Sequence, residues 1–244
     1  MSKIPAFADS GVFDALTPES SYWLGIIMSD GFVHNKVVGL SMIDKDHVTK
    51  FRSFLKAANP VREYMPSIGN RLAYDLRVTN QELVSKLSNY NIVQNKSLTA
   101  TVPSALESNS HFWRGMIDGD GCFTISEGRA AFTYCGSGAV CQSLMDYMKS
   151  FSDFKGSVRP VKNGNAFLLG TRGKYVKVLI NKIYVDSTDD IRLTRKYNKA
   201  LELLALPDSI KKDRFCSHCP HCLAAKNQEF ENNDIYLSLP TQSA

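Results

Sequence analysis

The first half of the chain alternates between two hydrophobic periods. Apolar residues recurring every three or four positions predict helices, and those recurring every second position predict strands. Thr17 suits a helix N-cap and Pro18 the first helical position. The predicted helices run from there to about Asp30, from a cap at Asp44 or Asp46, and from Gln81 to Tyr90, with strands within 32–43 and 61–78. Counting 32–43 as two short strands, the predicted order is αββαββα.

The second half repeats this order. Ser110 is expected to cap a helix that ends near Asp120. Further elements are predicted at Cys122–Ser126, Ala130–Tyr134, Val140–Phe151, 157–161, 166–171 and Lys174–Val185. The chain is therefore expected to be an α+β (mixed α/β) protein of two pseudo-symmetric halves. The predicted divisions are an N-terminal arm at 1–17, halves at 18–100 and 101–206, and a tail at 207–244.

The apolar segments that open the two halves share a motif. Residues 23–31 read WLGIIMSDG, and residues 113–121 read WRGMIDGDG. Each copy has two small residues four positions apart, which would line one face of a helix. Two such helices could pack backbone against backbone through Gly25, Ser29, Gly115 and Gly119. The glycine that ends each copy, Gly31 or Gly121, suits a left-handed helix C-cap.

An aspartate precedes that last glycine in both copies. Asp30 and Asp120 would lie at helix C-termini, where the partial negative charge disfavours a carboxylate. Parallel packing of the helices would bring the two carboxylates together and add like-charge repulsion. A divalent cation would relieve both effects, and Mg²⁺ prefers carboxylate oxygens while keeping water and phosphate ligands. The repeat therefore predicts a Mg²⁺ site, whereas a single copy would be read as an ordinary capped core helix.

Charge and hydropathy limit the partners and the compartments that can be expected for the protein. The net charge is +5, and the excess of basic residues lies before the tail, which suits a nucleic-acid partner. No apolar run approaches the roughly 20 residues of a membrane helix. The N-terminus lacks the apolar region of a secretion signal. A monomer in the cytoplasm, or within an organelle, with no membrane partner is expected.

The two copies resemble the LAGLIDADG motif, and residues 18–206 are similar to a single-chain LAGLIDADG homing endonuclease. Asp118 supplies the motif's first acid in the second copy, while Met28 replaces it in the first. Tryptophan replaces the leading leucine in both copies, and Arg114 replaces a small residue. The resemblance implies that the motif helices pack at the interface between the halves. It also implies that the second acids, Asp30 and Asp120, are the catalytic metal ligands.

The resemblance further implies a lysine beside the metal ions in each half. The matching positions are Lys96 and Lys196, with Arg195 competing for the second place, and the alternative for each is a solvated surface lysine. The outward strand faces would form a saddle on double-stranded DNA, since arginine reads guanine and threonine or serine tolerates several bases. An ordinary solvated sheet face is the alternative. The candidate DNA-binding residues are Arg71, Asp75, Arg77, Thr124, Ser126, Arg129 and Arg159.

The function implied is a sequence-specific, metal-dependent endonuclease that makes a double-strand break in DNA. The alternatives are an intron maturase that binds RNA and a DNA-binding relative that no longer cuts. Retention of both Asp30 and Asp120 argues against lost catalysis. An intein-embedded endonuclease is less expected, because the ends of the chain lack splice-junction residues.

The tail contains a cysteine cluster outside the resemblance. Cys216, Cys219 and Cys222 have the spacing of zinc ligands, with His218 and His221 between them. No second ligand pair follows, and seven residues would hardly surround a tetrahedral ion. A reduced, solvent-exposed tail without zinc is therefore expected, with zinc binding as the alternative.

Overall fold

A computed structural model describes residues 7–67, 70–96, 99–162 and 164–206. The cysteine cluster at 216–222 lies outside the described residues. In the described part, no helix is long and apolar enough to cross a membrane. The predicted arm contains a short 3-10 helix, Ser10–Phe13, whose Phe13 is buried in the core.

The first half has the predicted αββαββα order. The four strands form one antiparallel sheet in the order β1-β2-β4-β3. Thr17 caps the first helix, as predicted, in a reciprocal capping box with Ser20. The elements are α1 Pro18–Ser29, β1 Gly31–His34, β2 Val37–Met42, α2 Lys45–Phe54, β3 Arg62–Tyr64, β4 Ala73–Thr79 and α3 Gln81–Ser88.

The second half repeats this architecture and adds one helix. Its antiparallel sheet has the order β5-β6-β8-β7. The elements are α4 Ser110–Asp120, β5 Gly121–Ser126, β6 Arg129–Gly136, α5 Gly138–Ser150, β7 Val158–Pro160, β8 Phe167–Arg172, α6 Lys174–Tyr184 and α7 Thr194–Leu204. Helix α7 is absent from the predicted order. Its buried residues, Lys196, Ala200 and Leu203, nevertheless have helical spacing.

Strand register makes the two halves comparable position by position. Gly31 pairs with Leu40 in the first sheet, and Gly121 pairs with Tyr134 in the second. On its other side Leu40 pairs with Leu76 on β4, and Tyr134 pairs in the same way with Leu169 on β8. Leu40 and Tyr134 are therefore equivalent, and each lies next to the end of its motif helix.

The motif helices α1 and α4 pack in parallel through their small residues, as predicted. A Cβ on Gly25 would overlap the Phe112 carbonyl oxygen and lie 2.9 Å from Gly115 Cα. One turn later, a Cβ on Gly119 would overlap the Ser29 side chain. The two backbones therefore approach more closely than any residue with a side chain would allow.

Two local predictions about helix ends are wrong. Asn109, not Ser110, caps α4, because its Oδ1 accepts from the amides of His111 and Phe112 at 3.0 and 3.1 Å. Gly121 has φ −76° and Gly31 no positive φ, so neither is a left-handed C-cap. Each glycine instead allows a sharp turn from helix into strand, where a Cβ would lie within 2.8 Å of the preceding helical turn.

Candidate functional site

Asp30 and Asp120 converge at the ends of the two motif helices. Asp30 is the C-cap of α1, and Asp120 is the last residue of α4. A Cβ on Gly119 would lie 3.0 Å from Asp30 Oδ2, so the first carboxylate reaches the end of the opposite helix. Both aspartates remain exposed to solvent. The parallel helices thus bring two acids from distant parts of the sequence to one accessible point.

Partial desolvation raises the pKa of both acids. It raises the pKa of Asp30, which the positive charges of Lys196, Arg195 and Lys96 oppose. It also raises the pKa of Asp120 to about 6, and the negative charge of Asp30 adds to the effect. Because water still reaches both residues, screening limits the free energy involved. A carboxylate whose ionisation is disfavoured by a neighbouring carboxylate is suited to sharing a cation with it.

The donor set at this point fits Mg²⁺. Within the described residues, no group of three or more His, Cys, Asp and Glu side chains is placed to hold a metal ion. Mg²⁺ is usually held by one or two carboxylates, with water and substrate phosphates completing its shell. Asp30 and Asp120 supply that number and type of ligand.

Lys96 and Lys196 both lie at the ends of the motif helices and are not surface lysines. They are 5% and 8% exposed, respectively. Lys96 Nζ donates to the Gly31 carbonyl at 2.5 Å. Lys196 Nζ donates to the carbonyls of Ile117, Gly119 and Gly121 at 3.0, 2.7 and 2.5 Å. Burial lowers the pKa of each lysine, while Asp30 and Asp120 raise it. Both ammonium groups therefore neutralise helix C-termini directly beside the acids.

Arg195 occupies a different environment from its neighbour Lys196. Its side chain is 48% exposed, and its Nε donates to both carboxylate oxygens of Asp44 at 3.0 and 2.9 Å. Asp44 precedes α2 in the first half but makes no side-chain cap there. This ion pair therefore links the two halves close to Asp30.

The surroundings of the two acids differ. Tyr134 donates its hydroxyl to Asp120 Oδ2 at 3.4 Å, whereas the equivalent Leu40 has no hydroxyl to offer Asp30. A cleft of about 180 Å³ lies beside Asp120 and is lined by Tyr134, Ser29 and the exposed Cys135, among others. The two acids thus have the same backbone frame but different neighbours.

Asp118 is a buried acid that holds the two halves together. It is 0% exposed and accepts from Tyr22 Oη at 2.9 Å, Tyr184 Oη at 2.5 Å and the Leu193 amide at 2.8 Å. Burial raises its pKa, and these hydrogen bonds lower it. The motif's first acid is therefore structural in this chain. Sequence reasoning gave it no role, although its spacing of two from Asp120 places it on another side of α4.

The Asp118 network continues into the first half through His47. Burial lowers the pKa of His47 to about 3, so the ring is neutral at ordinary pH. Because Tyr22 gives its hydroxyl proton to Asp118, His47 Nε2 must carry a proton and donate to Tyr22 Oη, 3.0 Å away. Helices α1 and α2 are thereby connected to α4 and α6.

Arg114, which departs from the motif, is also structural. It is completely buried and donates to the Ile183 carbonyl at 2.5 Å and to the Ile191 carbonyl at 3.3 Å. It also forms an ion pair with Asp186. Arg114 therefore secures the connection from α6 to α7, which carries Arg195 and Lys196.

The candidate DNA-binding residues of the first half have three different environments. Arg71 is exposed but lies in the turn before β4, outside the strand. Arg77 is exposed and lies over the Phe32 ring at 5.5 Å. Asp75 is only 4% exposed and forms an ion pair with Arg77 Nε at 2.7 Å. The prediction of Asp75 as an exposed base-reading residue is therefore wrong, because Arg77 and the flanking strands cover it.

The second sheet presents a more open polar face. Thr124, Ser126 and Arg159 line a groove of about 590 Å³ on this face. Lys155 and Arg172, which sequence reasoning missed, line it as well. Arg129 is half-buried, and its Nε has no hydrogen-bond partner in the described part of the chain. The groove therefore combines basic and hydroxyl side chains.

Comparison with known proteins identifies the fold. No family model and no curated protein matches the chain. Solved structures do match. The LAGLIDADG meganuclease I-AabMI bound to uncleaved DNA is 12% identical, with a TM-score of 0.53, over 77% of this chain and 89% of that chain. The I-SmaMI LAGLIDADG homing endonuclease bound to cleaved DNA is 13% identical, with a TM-score of 0.52, over 88% and 91%.

The homing endonuclease I-WcaI bound to its DNA recognition sequence is a third match. It is 10% identical, with a TM-score of 0.52, over 71% of this chain and 84% of that chain. At these identities the likeness concerns the fold. The chain therefore has the LAGLIDADG fold in its single-chain form, with two motif copies, as the motifs predict.

Proposed function

We propose that this protein is a site-specific DNA endonuclease of the LAGLIDADG homing type that hydrolyses one phosphodiester bond in each strand. The observation that carries the proposal is the convergence of Asp30 and Asp120 at the ends of two parallel helices. Neighbours that share the fold are endonucleases described in complex with DNA. Because one chain supplies both acids and both sheets, a monomer is the proposed active form.

The exposed sheet faces supply the means to bind DNA. Arginine and lysine contact phosphates and set the register, while arginine and hydroxyl side chains read base edges. Arg77 in the first half and Arg159, Lys155 and Thr124 in the second are exposed on these faces. Such a surface would place a duplex across the point where the acids meet.

Asp30 and Asp120 are proposed to hold Mg²⁺ or another divalent cation. When bound, the cation would neutralise charge on the phosphoryl group and lower the pKa of a coordinated water. Lys96 would stabilise the same negative charge on the phosphoryl group through its ammonium group. A lysine ammonium has three N–H donors, and Lys96 uses one on Gly31 in the described part of the chain. The other two remain for water or a phosphate oxygen.

The proposal is tested by cleavage of a randomised duplex library in Mg²⁺, followed by sequencing of the ends. We expect a defined set of double-strand breaks from the wild-type protein. Asp30→Asn and Asp120→Asn should each abolish double-strand cleavage and retain binding, because affinity depends mainly on phosphate contacts. Either variant alone is expected, at most, to nick one strand.

Asp46→Asn is a matched control, because Asp46 is an exposed carboxylate paired with Lys50 on α2. It should cut like the wild-type protein. Full cleavage by the Asp30→Asn, Asp120→Asn double variant would refute the proposal. Tight DNA binding by the wild-type protein without any cleavage would instead favour the non-cutting DNA-binding alternative.

A further inference from the structure

The donors of Lys196 are fully used by the protein. A lysine ammonium has three N–H groups, and Lys196 directs one each to the carbonyls of Ile117, Gly119 and Gly121. Helix C-termini leave carbonyls without intrahelical donors, and Lys196 supplies a donor to Gly119 in the last turn of α4 and to Gly121 directly after it. The Ile117 carbonyl accepts from the Gly121 amide as well as from Lys196. Donation to a phosphate would require Lys196 to break one of these bonds. Lys196 is thus poorly placed for the substrate-binding role that the resemblance implies.

Arg195 is placed for that role. Its Nε is held between the two oxygens of Asp44, while neither Nη group makes a hydrogen bond in the described ranges of the chain. The guanidinium is therefore fixed along one edge and open along the other. A guanidinium can bind a phosphate through two parallel N–H donors, which a lysine cannot do with the same geometry.

The location of Arg195 connects it to the proposed cleavage site. It lies in the first turn of α7, directly before the lysine that contacts the residues flanking Asp120. Its partner Asp44 comes from the other half, and the charges of both act on the carboxyl group of Asp30. Arg195 therefore lies beside the acids but projects into solvent.

We infer that Arg195, rather than Lys196, supplies the phosphate contact of the second half, and that it binds a backbone phosphate of the strand passing Asp30. Asp44 acts as its positioning residue across the interface between the halves. This inference depends on the proposed function, because it requires DNA to lie over the two acids. It assigns the phosphate contact to a different cationic side chain in each half, Lys96 in the first and Arg195 in the second.

The test measures binding of a fluorescein-labelled random-sequence duplex by anisotropy, in EDTA, as a function of KCl concentration. Each phosphate contact contributes about 0.9 to the slope of log affinity against log salt. Arg195→Ala should lower that slope by about 0.9. Between about 50 and 200 mM KCl, the wild-type protein should then lose about 3.5-fold more affinity than the variant. Arg195→Lys should keep the slope and bind more weakly, because the charge remains but the fork is lost.

Two controls separate a phosphate contact from other effects. Asp44→Asn breaks the same ion pair but keeps the guanidinium, so the slope should be retained while the affinity falls, because Arg195 is no longer held in position. Lys199→Ala removes a positive charge one turn further along α7, where Lys199 pairs with Glu202, and should change the slope little.

An unchanged slope in Arg195→Ala would overturn the inference and leave the endonuclease proposal intact. An equal fall in the slope of Asp44→Asn would also overturn it, since that variant keeps the guanidinium charge. An equal loss in Lys199→Ala would show a general charge effect and overturn it likewise. Absence of salt-dependent binding by the wild-type protein would overturn both the inference and the proposed function.

Discussion

A single added methyl group at Gly115 should destabilise the protein. The methyl of Gly115→Ala would overlap the Tyr22 carbonyl oxygen, and it would lie 2.9 Å from Ile26 N and 3.0 Å from Gly25 Cα. All three atoms belong to the backbone of α1, so no side-chain rotation removes the overlap. The helices α1 and α4 would have to move apart.

Two opposing effects set the magnitude. Alanine in place of glycine within a helix gains about 0.5–1 kcal/mol from reduced backbone entropy. Overpacking in a well-packed interior costs about 1–3 kcal/mol, and occasionally more. Restoring ordinary carbon contacts of about 3.5–4 Å requires a shift on the order of 1 Å along the whole helix pair. Because all three overlapping atoms belong to the backbone, the overpacking cost should lie at the upper end of that range. We therefore expect a net loss of about 2 kcal/mol, which corresponds to a fall in Tm of about 4–8 °C for a chain of this size.

The assay is urea and thermal unfolding of the wild-type protein, Gly115→Ala, Gly25→Ala and a control. Gly170→Ala is the control, because a Cβ there would meet Thr133 Cγ2 at an ordinary 3.5 Å. It should unfold like the wild-type protein or slightly later. If Gly115→Ala and Gly25→Ala were as stable as Gly170→Ala, the close approach of the motif helices would be refuted.

Three further predictions follow from buried polar groups. Lys196→Met should lower the free energy of unfolding by about 2–3 kcal/mol in urea titrations, and Lys96→Met by about 1 kcal/mol, because the first removes three hydrogen bonds to carbonyls and the second removes one. Equal losses in the two variants would contradict this. Without metal, Asp120→Asn should raise Tm above about pH 6 and leave it unchanged below pH 3.8. Burial raises the folded-state pKa of Asp120 from 3.8 to about 6, so ionisation of this carboxyl group destabilises the fold. A Tm difference that stays constant across pH would argue against that cause. Tyr184→Phe should lower the free energy of unfolding in urea by about 1–3 kcal/mol, because it removes a donor to the buried Asp118 carboxylate, and Tyr175→Phe, at an exposed hydrogen bond, should lower it less. A larger loss in Tyr175→Phe would contradict this prediction.

The fold could largely be predicted from the sequence because its signals are local and occur twice. Periods of two and of three to four residues identify strands and helices without knowledge of their partners, and the repeated motif identifies which helices meet. Helix α7 was missed although Lys196, Ala200 and Leu203 have the spacing of a buried helix face. A lysine in that face interrupts the apolar pattern that predicts a buried helix face. Its burial becomes understandable only when the carbonyls that it contacts are known.

The site was only partly predictable for the same reason. The positions of Asp30 and Asp120 follow from the motif, since each directly precedes a glycine at a helix end. Whether a lysine ammonium is free or saturated depends on carbonyl groups from another element, as Lys196 demonstrates. Alternation along β4 placed Asp75 beside Arg77 on the outer face, but it could not show that Asp75 is covered.

A single chain permits its two halves to differ where a symmetric dimer must repeat every residue. The register that equates Leu40 with Tyr134 also equates Arg77 on β4 with Gly170 on β8. A long cationic side chain at one position and no side chain at the other cannot make the same contact with a base edge. If the two sheets contact DNA as proposed, the two half-sites of the target must differ in sequence. We therefore expect the sites recovered from a randomised library to be non-palindromic, and a palindromic consensus would show that the sheet faces do not determine specificity.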